Sequence, residues 1–307
     1  MEIADKAYIK DRRKRANKFK YRYWKSGIIM IIPALVILFI FNTIPLSMAL
    51  VRAFQDYSTK AFVGLQNFKL IFADVTFIQS FKNVLIMGGI CLVLTIIIAF
   101  FFAHLIIRLP RRIGNAIKIL IYIPCILSGV VISVIYTFLL NYGGGLFTSI
   151  LVSFGLQPIA FMKEGIWPYV CIIVPTVWGG LGYNTLVMMA GLLNIPKEYY
   201  EAAEIDGANK AQQMFHITIP CLKNFFVLLI VNLVTGYMQM LEYPYLITGG
   251  GPDNKTITPS LYLFMSFRDS AKTPNVTIAG ALIILVIIMT INGVVFVTIR
   301  SRKSEVD

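Results

Sequence analysis

The sequence predicts an all-α membrane protein with six transmembrane helices and both termini cytoplasmic. Three observations carry this prediction: an apolar composition, six runs of spanning length, and a one-sided placement of basic residues. Of 307 residues, 57% are hydrophobic and 14% charged, where a soluble domain carries roughly a quarter charged residues. A helix needs about 20 apolar residues to cross the bilayer core. Runs at about 27–50, 84–107, 118–140, 166–191, 223–245 and 276–299 meet that length. With the N-terminus inside, the inner segments hold ten Lys/Arg before the first run, four from Arg108 to Lys118, three from Lys197 to Lys223 and three after residue 299. The outer segments hold only eight, so the positive-inside rule selects this orientation. The chain therefore reads as a cytoplasmic tail (1–26), a transmembrane domain (27–299) and a second cytoplasmic tail (300–307).

The net charge of +13 does not point to nucleic acid. Its densest part is the first tail, where a basic flank suits an anionic leaflet. The first apolar run is too long and too deep to be a cleaved signal peptide. Between the first two runs, FVGLQNFKLIFAD places Phe62, Leu65, Phe68, Ile71 and Phe72 at spacings that predict a short amphipathic helix on the membrane surface. Gly143-Gly144-Gly145 predicts a turn after the third run, and TGGGPDNKT, from Thr248 to Thr256, predicts the end of the fifth. Pro33, Pro45, Pro124 and Pro175 lie inside runs, where each removes a hydrogen bond and bends a helix. Thr176, Trp178, Gly179, Gly180, Gly182, Tyr183, Asn184 and Thr185 follow Pro175. So many small and polar residues fit a cavity wall or a close helix contact better than a lipid face. The four cysteines form no CxxC and have no clustered histidines, so neither disulfides nor a metal site is expected.

Residues 194–222 form the longest polar interval on the inner side, and its first half is acidic. Asn194-Ile195-Pro196 predicts a helix start, with Asn194 as cap. Glu198, Glu201 and Glu204 then lie near the helix N-terminus, where the dipole favours negative charge. Gly207 predicts a stop in the left-handed conformation, a second short helix runs over 209–216, and Pro220 opens the fifth span. Helices that rest on lipid are usually basic. Glu198, Glu201, Glu204 and Asp206 against Lys197 and Lys210 therefore favour a basic protein partner, which Ala202 and Ala203 would let approach closely.

The spacing Glu201-Ala202-Ala203, three residues, Gly207, nine residues, Ile217-Thr218-Ile219-Pro220 resembles the EAA loop of binding-protein-dependent ABC importer permeases, EAA-x3-G-x9-I-x-L-P. Ile219 replaces the usual leucine. The resemblance implies a type I ABC importer permease architecture, with residues 194–222 as a two-helix coupling loop between the fourth and fifth spans. It further implies that Glu201 pairs with a basic residue in a groove of the ATP-hydrolysing subunit, that Gly207 makes the turn, and that Ala202 and Ala203 pack. AFVGLQNFKLIF, IPKEYYEAAEIDGA and YLITGGGPDNKT resemble the carbohydrate-uptake branch, which includes maltose and glycerol-3-phosphate permeases.

In the maltose transporter the sugar is held by the spans on either side of that loop. Matching around Trp178 and backward from Gly250-Gly251-Pro252 carries Thr176, Gly179, Gly180 and Tyr183 over from one span. Gly236, Tyr237, Gln239 and Met240 come from the other. Sugars are bound by aromatic faces with hydroxyl and amide hydrogen bonds, and helix packing is the competing role for each residue. Glu242, near the outer end of its run, reads as an interface carboxylate. The chain has no GxxxxGK[ST] and therefore no ATP site of its own. ATP and Mg would be bound by the partner ATPase. The partners implied are a second, related permease, two ATP-binding subunits and an extracytoplasmic substrate-binding protein, all at a bacterial or archaeal plasma membrane. A non-sugar solute such as glycerol phosphate is the alternative cargo. An ion-coupled carrier would show acids or histidines deep in the spans, and here only His104 and Glu242 approach them. A membrane enzyme would show a catalytic motif such as HExxH or GxSxG, and none occurs.

Overall fold

The computed structural model describes residues 27–269 and 272–299; the predicted basic tails, 1–26 and 300–307, lie outside the described residues. Apart from an isolated bridge between Gln55 and Phe62, the regular structure among the described residues is helical. The predicted all-α class is therefore what the structure shows. Among the described residues, four helices are each long and apolar enough to cross a membrane, and two bent helix pairs bring the number of candidate spans to as many as six.

The chain divides into two compact units, residues 1–67 and 68–307. In the first, α1 (Gly27–Ala53) contains one wide π-turn, Phe39–Thr43, immediately before Pro45. Proline cannot donate its turn's hydrogen bond, and a local wide turn accommodates that loss. Beyond α1, the Asp56 carboxylate accepts from the amides of Ser58 (3.0 Å) and Thr59 (2.8 Å). Buried Asn67 donates to the carbonyls of Ala53 (2.8 Å) and Gln55 (2.9 Å). The segment after α1 is thus a folded loop.

The second unit begins within α2 (Gln66–Ala73) and continues through α3 (Val75–Arg108), α4 (Arg111–Ile126), α5 (Gly129–Leu139), α6 (Leu146–Ser153) and α7 (Trp167–Leu193). Then come α8 (Lys197–Ile205), α9 (Lys210–Cys221), α10 (Lys223–Met238), α11 (Pro259–Arg268) and α12 (Pro274–Ile299). The most extensive helix pair is α3 with α7. On α3, Gly88, Cys91, Thr95, Ala99 and Ala103 recur every three or four residues and are all buried; of these, Gly88 and Thr95 lie against Tyr237 of α10. Small residues on one stripe let two helix backbones approach, which is the main source of association where lipid offers no hydrophobic gain. Gly182 on α7 does the same toward α4: a Cβ there would lie 2.7 Å from the Ile121 carbonyl oxygen and 2.8 Å from the Tyr122 Cα.

The third predicted run, 118–140, is not one straight helix. α4 ends at Ile126, Leu127 and Ser128 are extended, and α5 leaves at 95° to α4. Pro124 sits in the last turn of α4, and the Ser128 hydroxyl caps α5 by accepting from the Val131 amide at 3.3 Å. The fifth run also stops short of its predicted end at 245: α10 finishes at Met238, six residues before Pro244. The carbonyls left without helical partners there are met by side chains at the start of α11. Thr258 donates to the Met240 carbonyl at 2.6 Å and Ser260 to that of Met238 at 3.3 Å. Non-helical backbone at membrane depth requires such partners.

At the N-terminal end of α3 the junction with α2 is tied to α11 and to the segment that follows it. The Asp74 carboxylate caps the helix through the Thr76 and Phe77 amides (2.9 and 3.3 Å), and also accepts from Tyr262 (2.6 Å) and Lys272 (2.8 Å). Burial alone would raise the Asp74 carboxyl; hydrogen bonds from Lys272 and Tyr262 outweigh it and hold the group below its ordinary range. Asn83, fully buried, donates to the carbonyls of Asn254 (2.7 Å) and Ile257 (2.9 Å), fixing the glycine-rich loop.

Candidate functional site

Two regions gather the residues singled out in the sequence. The first is the polar interval between α7 and α10. Its elbow is Gly207, at φ +80°, a conformation that costs an L side chain about 1–2 kcal/mol. α9 then starts with a reciprocal capping box between Asn209 and Gln212. Lys210 pairs with Glu204 across the elbow, and that hydrogen bond holds the Glu204 carboxyl below its ordinary range. The Tyr200 hydroxyl lies 2.9 Å from that of Thr218, bracing α8 against α9. Ile195 and Leu222, at the two ends of the interval, are buried in one cluster with Met188, Met189 and Leu229. The loop is thus two short helices braced against each other and rooted in the core.

Asn194 does not cap α8; it is the C-cap of α7, and Pro196 occupies the N-cap of α8 without a side-chain bond. Nor does the second helix end at His216, because a π-turn, Met214–Thr218, carries it on to Cys221, with Pro220 in its last turn. The carried-over residues separate into two sets. Ala203, Asp206, Gly207 and Ile217 line a cleft of about 360 Å³ under the elbow. Glu201 and Ala202 are exposed along α8. Ile205 adds an apolar side chain that is 87% exposed, accompanied by exposed Tyr199. Ile205 and Tyr199 carry no polar motif to announce them. Their signal is an apolar side chain of α8 turned away from the core.

The second region is a cavity of about 490 Å³ where α10 breaks. Of the residues carried over, Thr176, Gly236, Tyr237, Gln239 and Met240 line it. Gly179 stands behind it, since a Cβ there would lie 2.9 Å from the Tyr243 hydroxyl. Gly180 and Tyr183 are not among its lining residues. The hydroxyl of Tyr237 is not free: it lies 2.9 Å from that of Thr95, and the residue is 8% exposed. Thr176 likewise donates to the Ile172 carbonyl at 2.6 Å. The groups left to meet a solute include the Gln239 and Asn232 amides, the face of Tyr243 and the Glu242 carboxylate. The sequence places Glu242 at the interface of a helix expected to continue to 245, and does not single out Tyr243; both line the cavity. The helical conformation resumes at Glu242 and Tyr243 and runs into a π-turn, Pro244–Thr248, so Pro244 does not mark the break at 239–241. No group of three or more potential metal ligands occurs among the described residues.

The profile of the binding-protein-dependent transport system inner membrane component family matches residues 95–303. The chain belongs to this family. Its curated relatives include the polygalacturonan/rhamnogalacturonan transport system permease protein YteP of Bacillus subtilis, 30% identical over 251 residues, which cover 78% of this chain and 77% of that protein. They also include the trehalose/maltose transport system permease protein MalF of Thermococcus litoralis, 29% identical over 252 residues, covering 81% and 85%. Among solved structures, one chain of a bacterial ABC transporter involved in import of the acidic polysaccharide alginate superposes with a TM-score of 0.77 at 23% identity. It covers 90% of this chain and 99% of that one. The permease is therefore a multi-pass inner membrane subunit of an ABC importer, with the importer-permease fold. The apolar helices, the small-residue stripe of α3 and the cavity at the α10 break are parts of that machine.

Proposed function

We propose that the permease forms half of a carbohydrate pathway and is driven through the elbow at Gly207. Residues 27–299 make up the permease domain, with both tails cytoplasmic. A second, related permease chain supplies the other half of the pathway, and two ATP-binding subunits, which hold ATP and Mg, dock on the loop over 194–222. An extracytoplasmic binding protein delivers the solute on the other side. The single observation that carries the coupling reading is the loop's construction. It is braced internally by Tyr200 and Thr218 and rooted by Ile195 and Leu222, yet it presents Glu201, Ala202 and Ile205 outward. Such an element moves as a body. Closure of the ATPase pair would displace it and bias the cavity between two states.

The cavity supports a sugar as cargo, because Gln239, Asn232 and the ring of Tyr243 combine amides with an aromatic face. The chain itself performs no ATP hydrolysis; the assembled complex does. The reading is tested by purifying the tagged permease from its native membrane. Two ATPase chains and one further permease are expected to co-purify, and the reconstituted complex is expected to take up oligosaccharide only with ATP and the binding protein. Purification of the chain alone, with ATP-independent uptake, would overturn the assignment.

A further inference from the structure

The carboxylate in the cavity carries information that the relatives' cargoes do not. Glu242 lines the cavity together with Asn232, Gln239 and Tyr243, and no lysine, arginine or histidine lines it. Nor does Glu242 form an ion pair among the described residues. Its side chain lies against Gly129, the first residue of α5: a Cβ built there would meet the Glu242 Cβ at 3.6 Å and overlap the Oε2 oxygen. The amides at a helix N-terminus favour negative charge, and α5 begins at the 95° break beside the cavity. Two chain breaks, at 127–128 and 239–241, thus converge on one carboxylate. Glu242 is exposed, and an ionisable residue within a membrane domain marks a pathway more often than a packing site.

We propose that Glu242 makes this cavity selective for saccharides without acidic groups. The carboxylate accepts hydrogen bonds from sugar hydroxyls, or from an amino group, and repels uronates and phosphates. This deepens the carbohydrate reading and rests on it. A uronate in this half of the pathway would meet a carboxylate and, among this chain's lining residues, no cation.

The test reads the cavity without the binding protein. The purified complex of the permease with its permease and ATPase partners is titrated with two pools of trisaccharides. One pool is neutral (malto-, galacto- and xylo-trisaccharides) and the other uronic (trigalacturonate and alginate trisaccharides), with thermal protection as the readout. The neutral pool is expected to protect at a concentration at least tenfold lower than the uronic pool, a difference of about 1.4 kcal/mol. Glu242→Gln, which keeps the side chain's size, is expected to close that gap to within threefold. Equal or better protection of the wild-type complex by the uronic pool would overturn the selectivity while leaving the carbohydrate reading intact. So would a gap unchanged in Glu242→Gln. Protection by neither pool, in wild type or variant, would remove the carbohydrate reading and this inference with it.

Discussion

The hydroxyl of Tyr237 on α10 meets the hydroxyl of Thr95 on α3 at 2.9 Å, and both residues are buried. The bond turns the Tyr237 hydroxyl away from solute, so the residue supplies a wall to the cavity and leaves recognition to its neighbours. Tyr237→Phe keeps the ring and strands one hydroxyl, a loss of about 1 kcal/mol. The variant is expected to unfold a few degrees earlier, with the KM for uptake within threefold of wild type. Tyr237→Ala removes the wall, costs about 3–5 kcal/mol, and is expected to abolish uptake. Transport kinetics and thermal unfolding of the two variants check this. A Phe variant as inactive as the Ala variant would mean that the hydroxyl touches the solute.

Gly182 and Gly180 lie two residues apart on α7 and make opposite predictions. A Cβ at Gly182 would strike the α4 backbone at 2.7 and 2.8 Å, whereas at Gly180 it would meet only the Asn184 Nδ2 at 3.5 Å. Overpacking against backbone costs about 1–3 kcal/mol. Gly182→Ala is therefore expected to lower the unfolding temperature of the purified permease, and Gly180→Ala to leave it within about a degree. The comparison isolates the helix contact from any general effect of replacing glycine.

The cap at Asp74 predicts a pH dependence. Its carboxyl lies below its ordinary value of 3.8, so its contribution to stability is full above about pH 4 and is lost as pH falls through the lowered value. For Lys272, burial would lower the ammonium, but hydrogen bonds to Asp74 and Tyr262 hold it above its ordinary value of 10.5. Its contribution is full below about pH 10 and is lost as pH rises through the raised value. With side chains 26% and 36% exposed, the pair contributes about 1 kcal/mol after screening. Asp74→Asn retains the helix cap and removes the charge. It is expected to lower the neutral-pH unfolding temperature by a few degrees and to flatten the acid limb of the stability profile. An unchanged acid limb would place its origin elsewhere.

The long helices were legible because α3, α7 and α12 each fill a run of spanning length, and α7 continues through Pro175. The two-helix loop over 194–222 was legible because Gly207 and its flanking acids use local signals of charge and backbone conformation. The breaks were not. Leu127 and Ser128 lie inside a run that reads as one span, and the bend there depends on Pro124 a turn earlier and on Ser128 capping the next helix. The end of α10 depends on hydroxyls of Thr258 and Ser260 some twenty residues away in the chain. Glu242 follows from that break: on a helix continuing to 245 it stands at the outer interface, and on the broken chain it lines the cavity. The cavity was thus half visible, in Thr176, Gly236, Tyr237, Gln239 and Met240, while its carboxylate, Glu242, was expected at the interface.

Gly207 tests the central claim most directly, because its role is purely conformational. Its φ is +80° and no atom stands within 4 Å of where a Cβ would lie. A substitution there strains the elbow without creating a clash. Gly207→Val imposes a β-branched side chain on a left-handed backbone, while Gly207→Asn carries a residue that visits this region at lower cost. The measurement is ATP-dependent solute uptake, with stimulated ATP hydrolysis, by proteoliposomes holding the complete complex. Coupling through the elbow predicts that Gly207→Val loses more than tenfold in both, with all subunits still assembled, while Gly207→Asn keeps at least half of each. Wild-type uptake and stimulation in Gly207→Val would contradict it.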